Sequence, residues 1–97
     1  FFTGLFFANF GQKNYEKALE AIDNSLRLKP GRGNIMGFRA SALGELNSSE
    51  AKEALERYLT LRPNLKKRDD YRSIFVPNST LADPIIEGLI KAGWQPE

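Results

Sequence analysis

The chain repeats one short pattern, and this repeat limits the folds open to it more than any other feature. Tyr15–Leu19 reads Tyr-Glu-Lys-Ala-Leu, and Leu26–Pro30 reads Leu-Arg-Leu-Lys-Pro. The arrangement returns as Ala-Lys-Glu-Ala-Leu at Ala51–Leu55 and Leu-Thr-Leu-Arg-Pro at Leu59–Pro63, which places the two prolines 33 residues apart. A period of this length is typical of tandem helix pairs, each of which buries its apolar face against a neighbouring pair.

Apolar residues recur at helical spacing through most of the chain, which predicts an all-α protein. Neither an alternating strand pattern nor an Asn-Gly hairpin occurs. Pro84 leaves the start of the last helix open, because proline fits the first turn of a short helix or kinks a longer one. Gly11 and Gly93 are expected to end the first and the last helix. The expected helices span about residues 1–10, 15–28, 35–46, 51–61 and 65–75, with a sixth starting near 78 or 83.

The composition removes several kinds of catalytic site. The chain of 97 residues contains no Cys and no His, which excludes thiol nucleophiles, imidazole bases, Ser-His-Asp triads and zinc fingers. The nearest carboxylate pairs are Asp69 with Asp70 and Glu50 with Glu53, and neither pair has an apolar pocket that would raise a pKa for acid catalysis. We therefore expect no enzyme activity, cofactor site or metal site. The absence of disulfides fits a cytoplasmic location.

The repeat resembles the tetratricopeptide repeat, whose period is about 34 residues. The resemblance implies a right-handed solenoid of antiparallel helix pairs, with two pairs in residues 1–63 and a short first helix plus a capping helix in residues 64–97. Two large residues, Phe6 and Tyr58, stand where the family usually has small ones. The positions that match the family's pattern are Tyr15, Ala18, Ile22, Ser25 and Pro30 in the first repeat and Ala51, Leu55, Tyr58 and Pro63 in the second.

The end of the chain carries a second resemblance. Leu61–Leu65 reads Leu-Arg-Pro-Asn-Leu, and Gly88–Gly93 reads Gly-Leu-Ile-Lys-Ala-Gly. These segments resemble the C-terminal ends of bacterial proteins that carry tetratricopeptide repeats after a class III adenylate or guanylate cyclase domain, or after a winged-helix DNA-binding domain. The resemblance implies that the chain is the C-terminal part of a larger signalling protein, with a purely structural cap as the alternative role.

The tetratricopeptide resemblance also implies a groove, lined by the first helices of the repeats, that binds a protein or peptide. The family's clamp for a C-terminal carboxylate is not expected, because no Lys or Arg precedes Lys13. The residues that the resemblance places near this groove are Thr3, Phe7, Phe10, Arg39, Lys66 and Lys67.

Five of the seven phenylalanines fall in the first ten residues, which makes the first helix unusually apolar. Phe1, Phe2 and Phe6 are expected to form a patch through which the chain self-associates into a homo-oligomer, since repeats contact mainly their neighbours. The alternative is that the C-terminal helices fold back and cover this patch. The chain does not begin with Met, so we expect it to be a fragment.

A basic segment follows the second repeat. It fits an acidic partner or phosphate groups, or else a solvated helix face with local Asp–Arg pairing. Nucleic-acid binding is not expected, because only Tyr71 could stack on a base nearby. No apolar run is long enough to insert into a membrane, and the glycines at 31, 33 and 37 predict a turn and close helix packing. The segment comprises Arg57, Arg62, Lys66, Lys67, Arg68 and Arg72, with Asp69 and Asp70 among them.

Overall fold

Six α-helices account for most of the chain that this computed structural model describes, residues 2–29, 33–74 and 82–97. The described residues contain no β-strand, so the predicted all-α class is confirmed. The fifth helix starts three residues later than expected, at Arg68. The sixth starts at Ala82, so Pro84 lies in its first turn, where the missing N–H is not needed. The helices are α1 (Phe2–Gly11), α2 (Tyr15–Leu28), α3 (Gly33–Glu45), α4 (Ala51–Leu61), α5 (Arg68–Ile74) and α6 (Ala82–Lys91).

Three of these helices end in the same kind of turn, with one residue in the left-handed region of φ. That residue is Lys13 (φ 62°) after α1, Asn47 (φ 54°) after α3 and Gly93 (φ 122°) after α6. In each turn the next amide donates back to a carbonyl of the last helical turns, for example Trp94 N–H to the Leu89 oxygen at 3.0 Å. Gly93 ends α6 as predicted, whereas Lys13 rather than Gly11 takes the left-handed position after α1.

Sequence neighbours form the main helix contacts in the first half of the fold. α1 packs against α2, α2 against α3, and α3 against α4, as in two antiparallel helix pairs placed side by side. The apolar side of α2 is buried at Ala18, Ala21 and Ile22, and that of α4 at Ala54 and Leu55. This order of contacts is compatible with a repeat solenoid.

α3 is the central helix. Eight of its thirteen residues are buried, which requires neighbours on most of its circumference. Phe38 stacks on the Phe6 ring of α1 with centroids 5.0 Å apart. Another contact is made at Gly37, where a Cβ atom would lie 2.7 Å from Cζ of Tyr58 in α4. The predicted close packing at Gly37 is therefore confirmed.

A further side of α3 is covered by α6, which runs parallel to it. The buried Ser41 hydroxyl donates to the Ile85 carbonyl oxygen at 2.8 Å, and one turn later Gly44 faces Gly88 and Ala92. A Cβ on Gly88 would lie 2.6 Å from the Ser41 carbonyl oxygen and closer still to its hydroxyl. The two backbones thus approach to a distance that only glycine permits at this crossing.

Replacement of Gly88 by alanine should separate α3 from α6. We expect Gly88→Ala to lower the free energy of unfolding by about 2–3 kcal/mol, because the added methyl group meets backbone that cannot move alone. Urea denaturation followed by circular dichroism measures this change.

Gly4→Ala is the matched control, since a methyl group added to the exposed Gly4 of α1 would have no described atom within 4 Å. This variant should be neutral or more stable by up to about 1 kcal/mol, because alanine favours the helix. Equal loss of stability in both variants would contradict the close α3–α6 crossing.

Candidate interaction surfaces

The structure does not bring the six predicted groove residues onto one open surface. Phe10 is 2% exposed, and the half-buried Phe7 ring packs edge-on against Phe38 at 5.3 Å. Thr3 is half-buried near the start of α1. The side of α3 next to Ser41 and Gly44 is occupied by α6.

The cationic groove candidates lie on different elements, Arg39 on α3 and Lys66 and Lys67 between α4 and α5. Arg39 is not a free cation, because its Nε donates to Asp23 of α2 at 2.8 Å. Lys66 and Lys67 do not lie on a third first helix, since α5 begins only at Arg68. Both lysines are exposed in the loop that precedes it.

The expected self-association patch is also altered by burial. Phe6 is fully buried and cannot take part in a surface contact, because it packs on Phe10 and Phe38 with ring centroids 5.2 and 5.0 Å apart. Phe2 is half-buried, and Phe1 lies outside the described residues. The alternative prediction was that the C-terminal helices cover the phenylalanines of α1. Instead, the aromatic side of α1 meets α2 and Phe38 of α3, while α6 packs mainly on α3.

Most repeat-defining residues are structural. Tyr15 is half-buried with its ring 5.1 Å from that of Phe10, whereas Pro63 is exposed and Pro30 lies outside the described residues. The unusual Tyr58 is accommodated because Gly37 leaves room for its ring. The buried members of the set are Ala18, Ile22, Ser25, Ala51, Leu55 and Tyr58.

A polar cluster joins three helices at one end of α3. The Glu45 side chain of α3 is only 7% exposed and forms an ion pair with Lys91 of α6. The Tyr15 side chain of α2 lies near the same carboxylate. Glu45 raises the pKa of Lys91 through its hydrogen bond and its charge, while burial and Glu45 raise the pKa of Tyr15. These groups satisfy one another, which is typical of a structural contact rather than a reactive site.

The basic segment divides into paired and unpaired cations. Arg57 binds Glu53 at 2.9 Å, and Arg72 binds both Asp69 at 2.6 Å and Asp83 at 2.8 Å. The Arg72–Asp69 contact is a local Asp–Arg pair of the kind expected for a solvated helix face, Arg57 pairs locally with a glutamate instead, and Asp83 lies in α6. The side chains of Lys66, Lys67 and Arg68 are exposed and form no ion pair within the described ranges. The unpaired cations of this segment are thus concentrated in the loop before α5 and the first residue of that helix.

Arg62 occupies a different environment, beside a cavity of about 330 Å³ between the end of α4 and α5. Its Nη2 donates to the Asn34 side-chain oxygen at 2.8 Å, but its Nε is buried and has no hydrogen-bond acceptor among the described residues. Asp70 and Ser73 line the same cavity. Sequence reasoning included Arg62 only as one cation of a run, because its contact with Asn34 joins residues that are distant in sequence.

Comparisons with protein-family models, curated proteins and solved structures found no significant match. Across residues 2–29, 33–74 and 82–97, no helix has the length and apolarity that a membrane crossing requires. The same residues contain no group of three acidic side chains placed to hold a metal ion.

Buried tyrosines give the fold a testable response to alkaline pH. Burial raises the pKa of Tyr58 to about 12, whereas a tyrosine in an unfolded chain titrates near 10. Between these values the unfolded chain releases a proton that the folded chain keeps, so the free energy of unfolding falls as pH rises. Tyr71, whose pKa burial also raises, acts in the same direction.

Tyr58→Phe should remove the contribution of Tyr58 to the pH dependence of the free energy of unfolding. Urea denaturation between about pH 9 and pH 12 should show a shallower loss of stability in the variant than in the wild type. The difference is expected to reach about 2 kcal/mol at pH 12, where the folded tyrosine is half ionised, out of the roughly 3 kcal/mol that corresponds to a pKa raised from 10 to about 12. Parallel curves for the two proteins would show that Tyr58 ionises normally in the folded chain.

Proposed function

We propose that the chain is a non-enzymatic protein-interaction unit of the tetratricopeptide type. The observation that carries this proposal is the helix arrangement: two antiparallel pairs lie side by side, and α6 runs parallel to the first helix of the second pair. Successive first helices of a tandem array have this parallel relation. The described acidic and basic groups support a scaffold role, because many of them bind neighbouring helices rather than line a reactive cleft.

The proposal extends to the context of the chain. The likeness of residues 61–65 and 88–93 to the tails of bacterial cyclase-type proteins supports a role as the C-terminal repeat region of such a cytoplasmic signalling protein. A winged-helix regulator is the second candidate parent. A purely structural cap is the competing role, and it has its own support: α6 covers α3 and its end reaches Leu55 of α4 near Gly93.

Self-association is the interaction that the α1 side supports. Leu5 is 40% exposed and lies beside Phe2 along a groove of about 240 Å³ between α1 and α2. Lys17 and Glu20 line the same groove with opposite charges. In a two-fold dimer the same patch meets itself, so Lys17 of one protomer can pair with Glu20 of its partner. We propose this groove, with Leu5 as its apolar contact, as the homo-oligomer surface in place of Phe6.

Leu5→Lys tests the contact without disturbing the core, because the side chain is already partly exposed. Light scattering across protein concentration should show a wild-type dimer and a monomeric variant, since two lysines brought together at the symmetry axis repel each other and lose solvation. Leu61→Lys, which changes another exposed leucine (47%) at the end of α4, should dimerise like the wild type. A monomeric wild type at high concentration would favour the structural-cap role.

A further inference from the structure

The loop between α4 and α5, together with the first residue of α5, carries positive charges that form no ion pair within the described residues. Lys66, Lys67 and Arg68 are consecutive and exposed, and no carboxylate pairs with them within the described residues. The neighbouring cations Arg57 and Arg72, by contrast, each have an acidic partner. This loop therefore holds cations that no described carboxylate neutralises by direct contact.

Two of the nearest acidic groups, Asp70 and Asp69, are committed to other contacts. One carboxylate oxygen of Asp70 accepts the backbone N–H groups of Lys66 and Lys67 at 3.0 and 2.8 Å, which lowers its pKa and keeps it ionised. Asp69 binds Arg72. Glu97 also lies close, since its N–H donates to the Lys66 carbonyl oxygen at 2.7 Å. Among the described carboxylates, Asp70 and Glu97 thus face an excess of cations, and the loop keeps a positive potential.

Two cavities flank this loop and share one wall. The first, of about 330 Å³, lies beside Arg62, whose Nε has no acceptor within the described part of the chain. The second, of about 420 Å³, is lined by the apolar residues Leu59 and Trp94 and by the polar residues Lys66, Gln95 and Glu97. Leu65 lines both. A segment that crosses Leu65 would thus meet a guanidinium on one side and, on the other, a cavity whose inner wall is apolar at Leu59 and Trp94 and whose remaining lining is polar.

We propose that this loop is a docking site for an acidic segment of a partner protein that carries one large apolar residue. A carboxylate of the segment binds the Arg62 guanidinium, further carboxylates face Lys66, Lys67 and Arg68, and the apolar side chain enters the cavity beside Trp94. Charge complementarity selects the partner, because carboxylates match the unpaired cations. This proposal rests on the proposed interaction function but uses a different surface from the α1–α2 groove.

The test uses a fluorescently labelled peptide of sequence Asp-Glu-Glu-Leu-Glu-Glu-Asp, titrated with the whole chain at low ionic strength and followed by anisotropy. We expect saturable binding that weakens at least about tenfold in Lys66→Glu/Lys67→Glu and in Arg62→Gln, as expected for lost charge pairs. The matched control is Lys13→Glu/Lys52→Glu, which makes the same change in net charge at exposed positions outside the loop. It should bind within about twofold of the wild type.

Two altered peptides and a vesicle measurement test what the loop selects. A peptide with serine in place of leucine should bind at least about fivefold more weakly, and one with glutamine or asparagine in place of every acid should not bind. If Lys66→Glu/Lys67→Glu and Lys13→Glu/Lys52→Glu weakened binding equally, the effect would be due to net charge alone, and the proposed site would be wrong. Tighter binding to vesicles of anionic phospholipid than to the peptide would overturn the choice of a protein partner.

The dimer variant keeps the two proposals distinguishable. Leu5→Lys should bind the acidic peptide as the wild type does, because neither cavity beside the loop is lined by a residue of α1. Binding lost in Leu5→Lys would show that the site needs a second copy and would contradict a separate surface. Circular dichroism on each variant checks that the helices are retained. If Arg62→Gln unfolds, Lys66→Glu/Lys67→Glu still tests the site, because both lysines are exposed.

Discussion

The backbone contact between α3 and α6 is the constraint on which the rest of the fold depends. Gly44 and Gly88 allow the two helices to approach until any added methyl group would meet main-chain atoms, and the Ser41 hydroxyl donates to a carbonyl across the same crossing. Because α3 also receives Phe6, Tyr58 and the apolar side of α2, it is enclosed by neighbours. Small residues on α3 make this enclosure possible, since a larger side chain would hold at least one neighbour away.

The small residues of α3 and α6 allow the two helices to approach, and a polar contact favours their parallel direction. The Glu45 side chain, at the end of α3, is 7% exposed, pairs with Lys91 of α6 and lies near Tyr15 of α2. A buried carboxylate without partners would be strongly unfavourable, so α6 must place Lys91 beside it. This requirement favours the parallel arrangement in which Ser41 meets Ile85 and Glu45 meets Lys91. Apolar packing alone is less selective about direction, whereas pairing the shielded Glu45 carboxylate with the half-exposed Lys91 ammonium favours one register.

The sequence predicted what depends on local pattern and missed what depends on distant partners. Six helices, the packing at Gly37 and the turn at Gly93 follow from spacing and residue type. The burial of Phe6 does not, because it requires Phe38, 32 residues away. The Arg39–Asp23 pair and the Arg62–Asn34 contact are similarly nonlocal. The α3–α6 crossing did leave a signal in its small residues, which are Ser41 and Gly44 in α3, Gly88 in α6 and Ala92 directly after α6.

The distribution of ion pairs separates structural charge from charge that remains for binding. Arg39, Arg72 and Lys91 each join two helices, so their removal would affect stability before it affected recognition. Lys66 and Lys67 make no such contact with a described carboxylate, although the backbone that carries them is held by Asp70. A loop whose main chain is fixed and whose charged ends are free can meet a partner with little loss of backbone entropy. That combination distinguishes the α4–α5 loop from the rest of the basic segment.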